Sequence, residues 1–77
     1  MHIEIISPEK KLFDGEGTFV SLPGMDGSLG IFNNHAPLIS SLKKGTIKVK
    51  TGSGEASFTV KGGVVEVLGN KVTILAE

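Results

Sequence analysis

The chain has 77 residues, 39% of them apolar, and its eight basic side chains balance eight acidic ones. That is the size of one small domain with a thin two-layer core. Zero net charge and the absence of arginine argue against a dedicated nucleic-acid or anionic-membrane binder. With no cysteine there is no disulfide framework, thiolate nucleophile or zinc–thiolate site. The opening Met1-His2-Ile3-Glu4 lacks the basic-then-apolar run of a signal peptide. No apolar stretch approaches the ~20 residues that span a bilayer. These features predict a soluble intracellular domain, or a soluble piece of a larger assembly.

Eleven glycines and three prolines are spread so evenly that the longest stretch free of both is Asn70 to Glu77. A mean helix needs ~11 residues, so the chain is predicted to be all-β. In chain order, Ile3–Ile6 reads as a strand stopped by Ser7-Pro8, and Lys11–Phe13 as a short one ended by Asp14-Gly15. Thr18–Leu22 places Thr18, Val20 and Leu22 on one face, and Pro23-Gly24-Met25-Asp26-Gly27 turns the chain into Ser28–Phe32. After an Asn33-Asn34-His35 loop, Pro37 forces Ala36 to be extended, and Leu38–Leu42 follows. Lys43-Lys44-Gly45 turns into Thr46–Lys50, with Ile47 and Val49 inward, and a Thr51–Gly54 hairpin leads to Glu55–Val60, whose Phe58 and Val60 face the core. Val64–Leu68 returns through Gly69-Asn70, a two-residue type II′ turn. That register pairs Leu68 with Lys71, Val67 with Val72 and Val65 with Ile74. It leaves Val64, Leu68 and Leu75 opposite the core set, either half-covered or exposed. Nine or so short strands of this kind describe a sandwich or a small barrel in one domain.

Reactive groups are sparse. Two histidines are too few for an all-histidine metal site, which leaves a mixed His–carboxylate site open, and the one close carboxylate pair, Asp14 and Glu16, reads as a solvated turn edge. Gly15-Glu16-Gly17 begins like a dinucleotide fingerprint, but Val20 replaces the third glycine and no helix follows. No cofactor is implied. Lys43, Lys44, Lys48 and Lys50 could meet a polyanion, yet lysines on a sheet edge also guard against aggregation. The segment from Leu22 to Leu38 is the most specific: turn chemistry explains its glycines and asparagines but not a histidine held before Ala36-Pro37.

That segment carries a resemblance. Ser7-Pro8-Glu9 with Phe13-Asp14-Gly15 leads into Leu22-Pro23-Gly24, Asp26-Gly27 and Leu29-Gly30-Ile31. His35-Ala36-Pro37-Leu38, Gly45-Thr46-Ile47, Gly62-Gly63 with Val65-Glu66-Val67, and Val72-Thr73-Ile74-Leu75-Ala76-Glu77 follow in order. The ordered set resembles the N-terminal β-sandwich domain of the epsilon subunit of F-type ATP synthases, from about Glu4 to Glu77. The resemblance implies a ten-stranded sandwich of two five-stranded sheets and a non-catalytic rotor subunit. Such a subunit binds the gamma subunit and the ring of c subunits, coupling ion-driven rotation to ATP synthesis. It implies a place at the cytoplasmic face of the bacterial inner membrane, with the membrane met only indirectly through the complex.

Carried onto matching positions, the resemblance implies a gamma-facing surface at Ser7, Leu12, Ala36 and Ile39. It implies ring-facing tips at Asp26, Gly27, Ser28 and Leu29, with His35 between the two contacts. Ser28 stands where relatives often carry an acid, which implies a weaker electrostatic contact with the ring. Asn33-Asn34 replaces a common Pro-Gly. The chain stops at Glu77, where most relatives continue into a helical hairpin, so it is expected to lack the part associated with inhibiting ATP hydrolysis. Two other classes compete: a small nucleic-acid-binding β-barrel, and a minor enzyme using Asp14, Glu16 or His35.

Overall fold

The computed structural model describes residues 1–77 as nine strands and no helix. They are β1 (His2–Ile6), β2 (Lys11–Glu16), β3 (Phe19–Gly24), β4 (Gly27–Phe32), β5 (Leu38–Leu42), β6 (Gly45–Thr51), β7 (Gly54–Val60), β8 (Gly63–Leu68) and β9 (Lys71–Ala76). Hydrogen bonding follows the order β2-β1-β9-β8-β5-β3-β6-β7, with β4 beside β3. A single residue pair, Gly24 with Leu42, joins β5 to β3, and at that seam the sheet turns over onto itself. Five strands lie on one side of the seam and four on the other. The second layer needs one strand fewer than the ten-stranded expectation because β3 serves both layers. Its first half, Phe19–Ser21, pairs with β6, and its last residue pairs with β5.

Alternation builds the core. Val20 and Leu22 of β3, Ile47 and Val49 of β6, Val65 and Val67 of β8, and Val72 and Ile74 of β9 are all buried between the layers, with Ile3, Ile5, Ile31, Leu42 and Val60. Each buried side chain of this size contributes about 1.5–3 kcal/mol over an exposed one. Thr18 is exposed, just ahead of β3, and leaves the face of Val20 and Leu22; its hydroxyl reaches the Lys50 carbonyl at 3.4 Å. Phe58 is half-buried and packs edge-on against Phe13, with ring centroids 6.0 Å apart.

The β8–β9 hairpin has the expected register, with Val65 opposite Ile74 and Leu68 opposite Lys71. Gly69 carries φ 62 while Asn70 stays at negative φ, as a type II′ turn requires. Two strands outrun their sequence limits. In β2, Asp14 and Gly15 do not turn but pair with Glu4 and Ile3. In β3, Pro23 pairs with Ser28 and the chain turns only at Met25-Asp26. β1 also pairs in parallel with β9, Ile3 beside Val72 and Ile5 beside Ile74, a contact no local pattern announces. Between β1 and β2 the register slips: Ile5 meets Phe13 but Ile6 meets Lys11, so Leu12 is the extra residue of a β-bulge.

Candidate functional site

The inward residues of the five-stranded layer fix which side chains point out, because neighbours along a strand alternate. Across β2-β1-β9-β8-β5, one outward row runs Lys11, Ile6, Leu75, Val64, Ser41, and the next runs Asp14, Glu4, Thr73, Glu66, Ile39. Ile39 is 72% exposed, Leu68 64%, Leu75 53% and Val64 40%. Ile6, half-buried, Leu75 and Val64 make an apolar row across β1, β9 and β8, and Ile39 and Leu68 extend it toward β5 around the exposed Glu66. Large apolar side chains gathered on one exposed face are the mark of a docking surface.

The β2-β1-β9 corner of the same face is ionic. Lys11 Nζ donates to Glu4 Oε2 and Asp14 Oδ2, both at 3.0 Å, and Lys71 Nζ stands 3.7 Å from Glu4 Oε1. The hydrogen bond from Lys11 holds the carboxyls of Glu4 and Asp14 below the usual carboxylate range, and the Glu4 and Asp14 partners raise Lys11 in turn. His2 bridges two acids, with Nε2 2.7 Å from Asp14 Oδ1 and Nδ1 3.1 Å from Glu16 Oε2. Asp14 and Glu16 therefore belong to a structural ion network, and Asp14 is shifted away from what a general acid would need. An open groove of about 460 Å³ runs past them between β2 and the β6–β7 hairpin, from Phe13–Glu16 to Thr51 and Ser53–Ala56. His35 is not among its lining residues.

The sequence-derived gamma-facing residues fall at different places on the five-stranded layer. Ile39 sits on edge strand β5 and is its most exposed large apolar side chain. Leu12, on the bulge at the opposite edge, is half-buried and packs against the core, so it supports the fold first. Four strand spacings separate the two, about 19 Å. Ser7 has its hydroxyl committed to the Ser7–Lys10 turn, donating to the Lys10 carbonyl at 2.9 Å and accepting from the Lys10 amide at 3.2 Å. Ala36 is exposed in the loop before β5. Ile6, Val64, Leu68 and Leu75 lie within this span, outside the set carried over by resemblance. Their outward placement follows from alternation: with Ile3 and Ile5 inside, Ile6 must face out.

At the far end of the seam, the β3–β4 hairpin presents Asp26, Gly27 and Ser28, all exposed, while Leu29 is half-buried and packs against the core. Its tip is tied to the β5–β6 connection: the Met25 amide donates to the Ser41 carbonyl at 3.0 Å and the Lys43 amide to the Pro23 carbonyl at 2.8 Å. His35 does not join this tip. It follows the opposite end of β4, about 16 Å away along a six-residue strand. There Asn34, at φ 62, donates its amide to Asn70 Oδ1 at 3.0 Å, and His35 Nδ1 donates to the Ala36 carbonyl at 2.7 Å.

The lysine group also divides. Lys43 and Lys44 occupy the β5–β6 turn, whereas Lys48 and Lys50 project from the outer face of β6. Lys50 Nζ stands 5.8 Å from the Phe19 ring centre, and Phe19 leans on Phe32 with ring centres 4.6 Å apart and planes tilted by 43°; Phe32 is 63% exposed.

Two stitched layers with no buried side-chain polar atom left unpaired and large apolar side chains exposed on one face define a β-sandwich domain. A family model described as "ATP synthase, Delta/Epsilon chain, beta-sandwich domain" matches residues 1–77, and the chain belongs to that family. It is 42% identical over 78 residues to the ATP synthase epsilon chain of Delftia acidovorans and 45% identical to that of Bordetella parapertussis, in each case across all of this chain and 56% of the relative. The epsilon chain of Brevibacillus brevis is 42% identical, with 59% of it covered. The chain thus spans little more than half the length of these curated relatives. Among solved structures, a chain of the Tetrahymena thermophila mitochondrial ATP synthase central stalk and c-ring superposes with a TM-score of 0.85 at 22% identity, covering 99% of this chain and 62% of that one. A chain of the Euglena gracilis mitochondrial ATP synthase OSCP/F1/c-ring structure superposes with a TM-score of 0.88 at 17% identity, covering 96% and 48%. At those identities the superpositions speak to the fold.

Proposed function

We propose that this domain is a non-catalytic central-stalk subunit of an ATP synthase. The outer face of its five-stranded layer binds the gamma subunit, and the Asp26–Leu29 hairpin tip meets the c ring. The observation that carries the reading is the apolar strip Ile6, Leu75, Val64, Leu68 and Ile39 on a sheet whose other side is fully packed. Family membership supports another subunit of the ATP synthase as the occupant of that strip. Rigidity is what torque transmission asks of such a part: the hydrogen-bonded layers move as one body, so a push at the hairpin tip reaches the apolar face. The domain would reach the membrane only through its complex, at the cytoplasmic face of a bacterial inner membrane.

The test is co-purification of the tagged chain with solubilised membranes from its source. Gamma and c subunits should be recovered together through a moderate-salt wash, and recovery of neither refutes the reading. The exposed Phe19–Phe32 pair beside Lys50 favours one second reading, a nucleic-acid-binding barrel, because exposed aromatic faces beside cations suit bases and phosphates. That reading requires single-stranded nucleic acid to bind with an affinity that falls steeply with salt.

A further inference from the structure

The two layers expose four edge strands, and three of them are guarded. β2 carries the Leu12 bulge and Lys11, β5 is preceded by Pro37, and β4 carries two glycines, Gly27 and Gly30, within its six residues. β7 differs. It is seven residues long and pairs with β6 in unbroken register from Gly54 to Val60. It contains no proline, lysine or bulge, so its free edge is an open template for another strand. Its only strand partner is β6, so its outer edge is unpaired within the sheet, although Phe13 of β2 packs on Phe58 and the Lys61 amide just beyond it donates to the Glu77 carbonyl.

The strand that fits it best is its own copy. Antiparallel self-pairing centred on Ser57 matches all seven residues, with Gly54 opposite Val60, Glu55 opposite Thr59 and Ala56 opposite Phe58. Ala56, Phe58 and Val60 point inward, and Glu55, Ser57, Thr59 and Lys61 are exposed. Lys61 of one copy then lies diagonally across from Glu55 of the other, within reach of two long side chains, and the twofold axis makes this contact twice. Neither side chain is engaged in an ion pair within the chain. Charge complementarity thus selects a second copy and fixes the register.

We propose that the free domain forms a twofold dimer through antiparallel β7–β7 pairing, with reciprocal Glu55–Lys61 contacts. Edge pairing over ~24 Å of strand buries less than the ~1,200 Å² of a standard interface, so the dimer is weak and concentration-dependent. It leaves the apolar face of the five-stranded layer free, so it does not depend on the proposed gamma contact. The test is sedimentation equilibrium of the chain from about 10 µM to about 1 mM at low salt. Self-association is expected in the upper part of that range. Glu55→Lys and Lys61→Glu should each weaken it about tenfold, and the double exchange Glu55→Lys/Lys61→Glu should restore it. Both positions are exposed, so circular dichroism should show all variants folded. A chain that stays monomeric throughout, or a dimer indifferent to the single exchanges, overturns the proposal.

Discussion

Ile39→Ala should separate binding from folding. Ile39 is 72% exposed on edge strand β5, so its removal takes almost nothing from the core. The free domain should lose less than about 1 kcal/mol, the range of strand-propensity effects at surface sites. A gamma subunit that covers the strip, however, would bury the three carbons the substitution deletes. At about 0.8 kcal/mol per buried methylene, full coverage amounts to about 2 kcal/mol, or about a thirty-fold weaker Kd. The assay is titration calorimetry with purified gamma subunit, alongside thermal melts of the free variant. Ile39→Ala binding gamma with unchanged affinity and an unchanged melt would refute the placement of the contact on this face.

Leu12→Ala should do the reverse, because Leu12 packs against the core from the bulge: the melt falls by the equivalent of about 2 kcal/mol, measured by denaturant unfolding. Gly63→Ala should be among the most damaging single changes, since at φ 144 the new Cβ would run into the Leu75 carbonyl oxygen. Unfolding should register a loss of about 2–4 kcal/mol. Acid should weaken the ionic corner. The folded-state pKa values of Glu4 and Asp14 are depressed, so their contribution is complete above the ordinary carboxylate range and is lost as pH falls through the lowered values. Lys11→Gln should therefore lower the melting temperature at neutral pH by an amount that vanishes as the pH is taken down through that range. A constant difference across the titration would show that the network contributes no pH-dependent stability.

Much of the fold is legible in the sequence because its strands are built on period-two alternation and bounded by glycine. Val65, Val67, Val72 and Ile74 could be placed on one face from the Gly69-Asn70 turn alone. Asp14-Gly15 and Pro23-Gly24 misdirect a local reading: both are turn dipeptides by chemistry, yet in the fold they are held straight by partners across the sheet. The parallel β1–β9 pair and the Gly24–Leu42 seam join residues far apart in the chain, and no local spacing encodes them. The same limit applies to the candidate site. His35 and Asp26 are nine positions apart and look adjacent in a motif, but the extended β4 carries them to opposite ends of the layer. Leu12 reads as a surface residue in a short strand, and only the bulge register shows it leaning on the core.

The parallel pairing of β1 with β9 sets the order in which the protein can fold. β3–β4, β6–β7 and β8–β9 are hairpins that close over short loops and can form as soon as their residues are available. β1 has only β2 as a local neighbour, and its other edge waits for Lys71–Ala76. Closing so long a loop is the slow kind of step, because its entropy must be spent before the contact rewards it. In a chain still emerging from the ribosome, Ile3 and Ile5 are therefore expected to gain their second cover only once β9 is available, and the β1–β9 ladder to be among the last contacts of the five-stranded layer.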